Sequence, residues 1–488
     1  MKIFYTSFFI TFCFVLECPL VASQQSTNIP GPSNSNDGNI DGFFSGPFQE
    51  CKKEGQKCSL KNAKKLCCEE FACVDKTCVK KDVGPYKLGN FFVMRVDMTD
   101  KYKGAPLSMS DDGTTLVFKS DKSTHVRYDP FSEALQLPTY NTKVEAEYKE
   151  NSYKPSFDPV WTNAVSGDGK AFAVADYENQ VVRTYRLSDD EGYYPFGKEL
   201  RYGAAIFGTS FGSSIALSKY GNFLVIGADQ SYEEGNDRKG FIMRYEFVHT
   251  VDKEMGWGYW KRKGDVIFGD NPGDELGRLP LEISSDGSRI AVGGGANGFV
   301  TVYDWDRKEE SWSKVERLSF ECKGWAGCVC DLTCIQNEDG IWNDPMFGKE
   351  SLVLSSNGNI LAIGDSTYDP ERIATTGDDG ADNGAIYFYK YKDGKFVEYA
   401  EKLVGPPNAN YGRRFDMSDD GKIVVVSEKD PYLTRVLKLN KKKKKFESLQ
   451  EFPGQYMYNV EMSRDGKKIA LLSWKENIGT RLSLLSSM

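Results

Sequence analysis

The sequence predicts an all-β protein, a seven-bladed β-propeller preceded by a small disulfide-rich module. Three observations predict it. Seven segments, opened by Ser110, Ser166, Ser218, Ser284, Ser355, Ser418 and Ser463, share a polar lead-in, a glycine three residues on and then an apolar run. The last of these units has room for only three strands, while Phe91–Asp97 is a spare strand pattern just before the first. Ten of the 12 cysteines fall in two tight clusters, Cys51 to Cys78 and Cys322 to Cys334.

The chain of 488 residues begins with a charged start, an apolar stretch from Phe8 to Leu16 and the small-residue run Val21-Ala22-Ser23. This is the pattern of a secretory signal peptide over residues 1–23. Glu17 and Pro19 close the apolar stretch well short of the roughly 20 residues a membrane span requires, and no later stretch reaches that length. A secreted, extracellular protein without a membrane span is therefore expected. Residues 24–50 are dominated by Ser, Asn, Gly, Pro and Gln. Such a composition buries too little apolar surface to offset its ordering entropy, which predicts a flexible linker.

In an oxidising compartment the even-numbered clusters read as disulfides. The first, residues 51–82, contains Cys51, Cys58, Cys67, Cys68, Cys73 and Cys78, for which spacing alone leaves 15 pairings. Its intervals, with the vicinal pair at the centre, resemble those of the inhibitor cystine knot, or knottin, family. That resemblance implies Cys51 with Cys68, Cys58 with Cys73 and Cys67 with Cys78, and admits a channel or protease effector or a stapled accessory module. The second cluster, Cys322, Cys328, Cys330 and Cys334, sits in an insert at residues 320–348. Its spacing does not match paired Cys-x2-Cys metal knuckles, so two disulfides in any of three pairings are expected.

Residues 84–488 form the repeat region. The turn glycines run from Gly113 to Gly466 at a mean period of about 59 residues, long enough for four short strands and their loops. Asp-Gly or Asn-Gly supplies the positive φ of a tight hairpin, and the run that follows suits a strand buried on both faces between stacked sheets. The spare N-terminal strand would complete the last blade and remove a free edge.

Phe211-Gly212 with its following run, Phe268-Gly269-Asp270, Leu276-Gly277, the Gly298 to Trp305 strand, Gly384-Ala385-Ile386-Tyr387 and Tyr411-Gly412 resemble FG-GAP repeats, the propeller repeats of integrin α chains. The resemblance implies a secreted or surface protein that recognises a partner. The Asp-x-Asp-x-Asp-Gly calcium loop of that family is missing from the hairpins. Calcium is therefore not expected at those hairpins, because a calcium site calls for six to eight oxygens, and metal binding elsewhere is left unassigned.

In antiparallel blades the connections after the second and fourth strands leave on one side. That side receives the long segments 229–239 and 365–383 and the four-cysteine insert, and the opposite side carries the tight turns and the lysine run Lys441 to Lys445. Loops on a rigid scaffold are where recognition concentrates. Tyr232, Trp325, Asp365, Tyr368, Asp369, Asp378 and Asp382 are accordingly the candidate binding residues.

Acids outnumber bases 70 to 62, giving a net charge of −8 and no overall basic surface for a phosphate backbone, so no nucleic acid partner is expected. His125 and His249 are the only histidines, too few for a multi-imidazole zinc site or relay. No cofactor is expected. Gly293–Gly298 fits G-x-G-x-x-G but precedes a strand pattern where a dinucleotide site requires a helix. Gly208–Gly212 fits G-x-S-x-G without the strand-turn-helix context of a nucleophilic Ser210. The leading expectation is a non-enzymatic recognition or adhesion protein that binds an extracellular protein or glycan through its loop-rich face. The rival is a secreted hydrolase or lyase acting on carbohydrate, which predicts an acidic pocket of shifted pKa on the channel axis. A third is an effector in which the cystine module is the active part.

Overall fold

The computed structural model describes residues 71–74, 77–80 and 86–93. From residue 106 on it describes the chain except 121–122, 129–161, 177–178, 189–191, 203–208, 230–237, 251–257, 279, 296–297, 320–327, 330–332, 335–345, 369–381, 430–431, 454–455, 476–478 and 488. The chain divides into two units, Met1–Val83 and Gly84–Met488. In the first, Phe71–Val74 and Thr77–Lys80 pair as an antiparallel hairpin with Cys73 opposite Cys78. The segments expected to be a signal peptide (1–23) and a linker (24–50), and the cysteines from Cys51 to Cys68, lie outside the described residues.

The second unit is an all-β propeller, and among the described residues all regular structure is strand. None of them forms a helix long and apolar enough to cross a membrane. Sheet 1 consists of Leu107–Met109, Thr115–Ser120 and Ser123–Tyr128. Sheet 2 contains Thr162–Val165, Ala171–Asp176, Val181–Ser188 and Gly192–Pro195, with Leu200–Arg201 also on its third strand. Sheet 3 contains Ser214–Leu217, Phe223–Ala228, Phe241–His249 and Gly258–Phe268, and sheet 4 contains Leu281–Ile283, Arg289–Gly293, Phe299–Asp306 and Ser311–Ser319. Sheet 5 contains Leu352–Leu354, Ile360–Asp365, Ala385–Lys392 and Lys395–Glu398, with Leu403–Val404 on its third strand. Sheet 6 contains Phe415–Met417, Ile423–Glu428, Leu433–Asn440 and Lys445–Pro453. Sheet 7 contains Tyr456–Met462, Lys468–Lys475 and Gly479–Ser487, and its fourth strand is Tyr86–Val93, paired antiparallel with Gly479–Ser487. Six sheets thus have four or more strands, and sheet 1 has three among the described residues.

The repeated turn explains the repeated sequence. Each turn glycine has φ between 65° and 73°, a region an L side chain enters only at a cost. The glycine amide closes the turn on the serine carbonyl three residues back, as in Gly287 N to Ser284 O at 2.9 Å. The serine hydroxyl has a structural task. In sheet 4, Ser284 Oγ donates to Asp286 Oδ1 at 2.9 Å and accepts from Arg289 N at 2.9 Å. The equivalent serine repeats that acceptance at every one of the seven turns.

Adjacent turns are joined in a closed ring. Asp111 N donates to Gly167 O, Asp168 N to Lys219 O, Lys219 N to Ser285 O and Ser285 N to Ser356 O, all within 3.0 Å. Ser356 N donates to the Asp419 carboxylate, Asp419 N to Arg464 O at 2.8 Å, and Arg464 N returns to Asp111 O at 2.7 Å.

The core is divided among the junctions between neighbouring sheets. Between sheets 2 and 3 it is Phe196, Phe211, Leu224, Ile226 and Trp260, between sheets 4 and 5 Val300, Val302, Leu361 and Ile363, and between sheets 7 and 1 Leu116, Phe118, Leu472 and Leu482. Every one of these clusters draws on the second strands of its sheets. Ala171–Asp176 and Arg289–Gly293 are buried throughout, as expected for strands covered on both faces. Each fully buried Leu or Ile contributes about 1.5 to 3 kcal/mol.

The Phe-Gly and Tyr-Gly elements mark where one sheet's entry crosses its neighbour. A Cβ on Gly364 would lie 2.0 Å from Gly412 O, and one on Gly412 would lie 2.5 Å from Asp365 N. The Gly293–Gly294 segment runs toward the strand Phe299–Asp306, with no helix among the described residues to receive a dinucleotide phosphate.

Candidate functional site

The innermost strand of every sheet ends at the Ser-Gly turn, and strand side chains alternate between faces. Counting back two residues from each turn serine gives Ser108, Ala164, Ala216, Glu282, Val353, Asp416 and Glu461, all of which line one axial cavity of about 300 Å³. Counting back four gives a second tier on the same wall, including Thr162, Ser214, Arg414 and Asn459. The residue after the serine, such as Lys219 or Arg464, rims the cavity beside the ring of turns.

Charge is distributed unevenly around this channel. Sheets 4, 6 and 7 contribute Glu282, Asp416 and Glu461, whereas sheets 1 to 3 contribute Ser108, Ala164 and Ala216 at the same level. Arg464 spans the acidic side. Its Nη2 lies 3.7 Å from Glu282 Oε2, its Nε 3.5 Å from Asp111 Oδ1, and its Nη1 donates to Leu354 O at 3.1 Å. Asp416 is more constrained, accepting from Met417 N at 2.7 Å and from Met462 N at 2.6 Å, so it also clamps sheet 6 to sheet 7.

Burial in the channel raises all three acids. Glu282 is pushed up to about 7 by desolvation, opposed by Arg464 and reinforced by Asp416 and Asp111. Asp416 is pushed up to about 6 by desolvation, with Arg464 and its two backbone donors pulling the other way. Glu461 is raised well above the ordinary glutamate value by desolvation and by the neighbouring Asp416 and Glu282 charges. The Arg464 guanidinium is held more firmly protonated, its own desolvation outweighed by the surrounding acids. These groups still face water, since the side chains of Glu282 and Arg464 keep 32% and 24% of their exposure. Near neutral pH the channel therefore carries protonated and ionised carboxyls side by side, the combination that supplies both hydrogen-bond donors and acceptors, or an acid and a base. Among the described residues no group of three or more His, Cys, Asp or Glu is arranged to hold a metal ion.

These acids were not among the residues singled out from the sequence. Their signal is a carboxylate between two apolar residues on the inner strand, Leu281-Glu282-Ile283, Phe415-Asp416-Met417 and Val460-Glu461-Met462.

Three of the candidate loop residues are described. Asp365 ends the second strand of sheet 5 and is 2% exposed. It accepts from Thr367 N at 3.3 Å and Thr367 Oγ1 at 3.2 Å, and burial pushes its carboxyl up to about 6. Tyr368 N donates to Asp365 O at 3.4 Å, and the Tyr368 hydroxyl accepts from Lys402 Nζ at 2.7 Å. Asp382 O accepts from Asn410 N at 2.9 Å. Tyr232, Trp325, Asp369 and Asp378 lie outside the described residues, as do Cys322 and Cys330. Of the insert, Cys328–Val329 and Thr333–Cys334 form a hairpin with Cys328 opposite Cys334. Ser210 lies in the left-handed region at φ 54° and closes a turn by accepting from Ser213 N at 2.9 Å.

Among solved structures, the chain is similar to the Kuenenia stuttgartiensis hydrazine synthase at 15% identity and a TM-score of 0.45, over 78% of this chain and 95% of that one. It is similar to a β-propeller domain from Myceliophteria thermophila at 11% identity and a TM-score of 0.48, over 83% and 100%. A putative 6-phosphogluconolactonase from Bacteroides fragilis matches at 12% identity and a TM-score of 0.44, over 72% and 85%. These neighbours differ in function, and at such identities no activity transfers from them to this chain. No family model matches the chain, and no curated protein does.

Proposed function

We propose that this protein is a secreted recognition protein that takes a protein or glycan group into the axial channel of a seven-bladed propeller. The single observation that carries the reading is the grouping of Glu282, Asp416 and Glu461 around Arg464 in one cavity, whose lining at the same level in sheets 2 and 3 is Ala164 and Ala216. Desolvating three acids at one level is unfavourable, and apolar residues would close the axis without that cost. The small side chains of Ala164 and Ala216 leave room for a ligand that donates to carboxylates and accepts from carboxyls and a guanidinium, as hydroxyl-rich and amine-bearing groups do.

Seven closed links between turns support counting sheet 1 as the seventh blade. The signal-like start supports secretion, and the Phe-Gly elements support kinship with FG-GAP repeats. The cysteine spacing and the Cys73–Cys78 hairpin register support a knottin-like module over residues 51–82. Tyr368 and Asp382 keep their place as candidate contacts on the loop-rich face.

A hydrolase or lyase is the second reading, favoured by Glu282 pushed up to about 7 beside Asp416 pushed up to about 6. Such a pair gives a proton donor and an acceptor near neutral pH.

The test is saturable binding of the labelled full chain to cells, extracellular matrix and a glycan array, beside the Glu282→Gln/Glu461→Gln variant. Binding lost in a variant that still melts cooperatively supports channel recognition. Binding that the variant leaves unchanged overturns it. Turnover of an array glycan, abolished in the variant, moves the conclusion to the second reading.

A further inference from the structure

The chain has a net charge of −8, yet its longest run of a single charged residue type is five consecutive lysines, Lys441 to Lys445. They occupy the exposed hairpin tip joining Leu433–Asn440 to Lys445–Pro453 in sheet 6. The turn has a defined geometry. Asn440 Oδ1 accepts from Lys442 N at 3.2 Å and Lys443 N at 3.3 Å, and Lys444 lies in the left-handed region at φ 56°.

Sheet 4 has the same turn at the same place. There Asp306 Oδ1 accepts from Lys308 N at 2.8 Å and Glu309 N at 3.2 Å, and Glu310 takes the left-handed position at φ 47°. The sheet 4 turn is filled by Arg307-Lys308-Glu309-Glu310, which is charge-balanced. The backbone geometry thus needs an Asn or Asp cap and leaves the other charges unspecified, so the all-lysine composition of the sheet 6 turn is not a requirement of the fold. It also carries a cost, because like charges this close repel.

Two of the five are neutralised locally. Lys443 Nζ pairs with Glu447 at 2.8 Å and Lys445 Nζ with Glu401 at 2.9 Å. The hairpin is further fixed by Glu401 N donating to Lys444 O at 2.8 Å, which holds the tip against the segment after sheet 5's fourth strand. Lys441, Lys442 and Lys444 are exposed and have no acidic partner among the described residues.

We propose that this tip is a docking surface for a sulphated polysaccharide chain. An exposed cluster of ammonium groups on a backbone-fixed hairpin tip meets a linear polyanion by charge complementarity and counterion release. Two other polyanionic surfaces fit less well. A membrane contact calls for apolar anchors beside the cations, and none of the exposed large apolar side chains among the described residues, Tyr220, Tyr259 and Tyr432, lies on the tip. Single-stranded nucleic acid calls for aromatic platforms, and the nearest aromatic residue, Phe446, is packed against the sheet 5/6 core. The proposal stands independently of the channel, which lies at the other edge of the sheet.

The experiment measures binding of the full chain to heparin, as the sulphated probe, over a salt series. Parallel arms use phosphatidylserine-bearing vesicles and a single-stranded oligonucleotide. Heparin binding is expected to weaken at least tenfold in Lys441→Gln/Lys442→Gln/Lys444→Gln. The slope of log K against log salt should shallow by roughly 2 to 3, taking the per-contact value of nucleic acids as a guide. The arginine version of the same three substitutions should retain binding. Heparin binding absent from the wild type, unchanged in the glutamine variant, or weaker than binding to vesicles or oligonucleotide would overturn the proposal.

Discussion

Arg464 and Glu282 meet across the axial channel at 3.7 Å, although they come from sheets 7 and 4. The same guanidinium reaches Asp111 of sheet 1 and Leu354 O beside sheet 5, so a single side chain links four sheets at the level where three acids converge.

Replacing Arg464 with methionine is therefore expected to cost about 1.5 to 3 kcal/mol, the usual scale for a hydrogen-bonded charge. Chemical denaturation measures it. Adding Glu461→Gln should recover part of the loss, because one of the acids left without a counter-charge is then neutral. A strictly additive double variant would show that the two groups do not interact.

The channel acids also fix a direction for stability against pH. Glu282 rises from 4.5 to about 7 and Asp416 from 3.8 to about 6 on folding, and Glu461 moves the same way. Between roughly pH 4 and 7 the folded chain consequently binds more protons than the unfolded one. Their contribution is fully present below the unfolded values and is lost as pH rises through the folded ones. Melting temperature should fall across this window and fall less in Glu282→Gln/Glu461→Gln. A variant with the same pH profile as the wild type would remove these residues as its cause.

At the turns, Ser284→Ala leaves the buried Arg289 amide without its acceptor and is expected to cost about 1 to 3 kcal/mol. Gly287→Ala should cost at least as much, because φ is 71° and the added Cβ would lie 2.4 Å from the Phe223 ring. Thermal melts of the two variants check both.

Deleting residues 1–93 removes the outer strand of sheet 7 and exposes the edge of Gly479–Ser487. The expected result is a lower melting temperature together with self-association, read by light scattering, since an unpaired edge is a template for another chain. Deleting residues 1–83 should do neither.

Much of this architecture was legible beforehand because turn chemistry is local. Ser284, Asp286 and Gly287 specify their hairpin within four residues, and the run from Arg289 to Gly293 announces a strand covered on both sides. The closing strand was legible too, though the pairing begins at Tyr86, earlier than the apolar pattern suggested, because ladder hydrogen bonds do not require apolar side chains. The channel was harder to read. Glu282, Asp416 and Glu461 lie far apart in the chain, and only ring closure brings them to one level. Attention to long loops favoured residues such as Asp365, whose carboxylate instead accepts from its own loop at Thr367.

The seam that closes the ring runs through sheet 7, where Tyr86 pairs with Ser487. These partners leave the ribosome about 400 residues apart, which at 5 to 20 residues per second is about 20 to 80 s of synthesis. Throughout that interval Tyr86–Val93 exists without its native partner, so a chaperone or the nascent chain itself must keep that edge from pairing elsewhere. Closure of the seam thus comes no sooner than the synthesis of residues 479–487, however fast the rest of the ring forms.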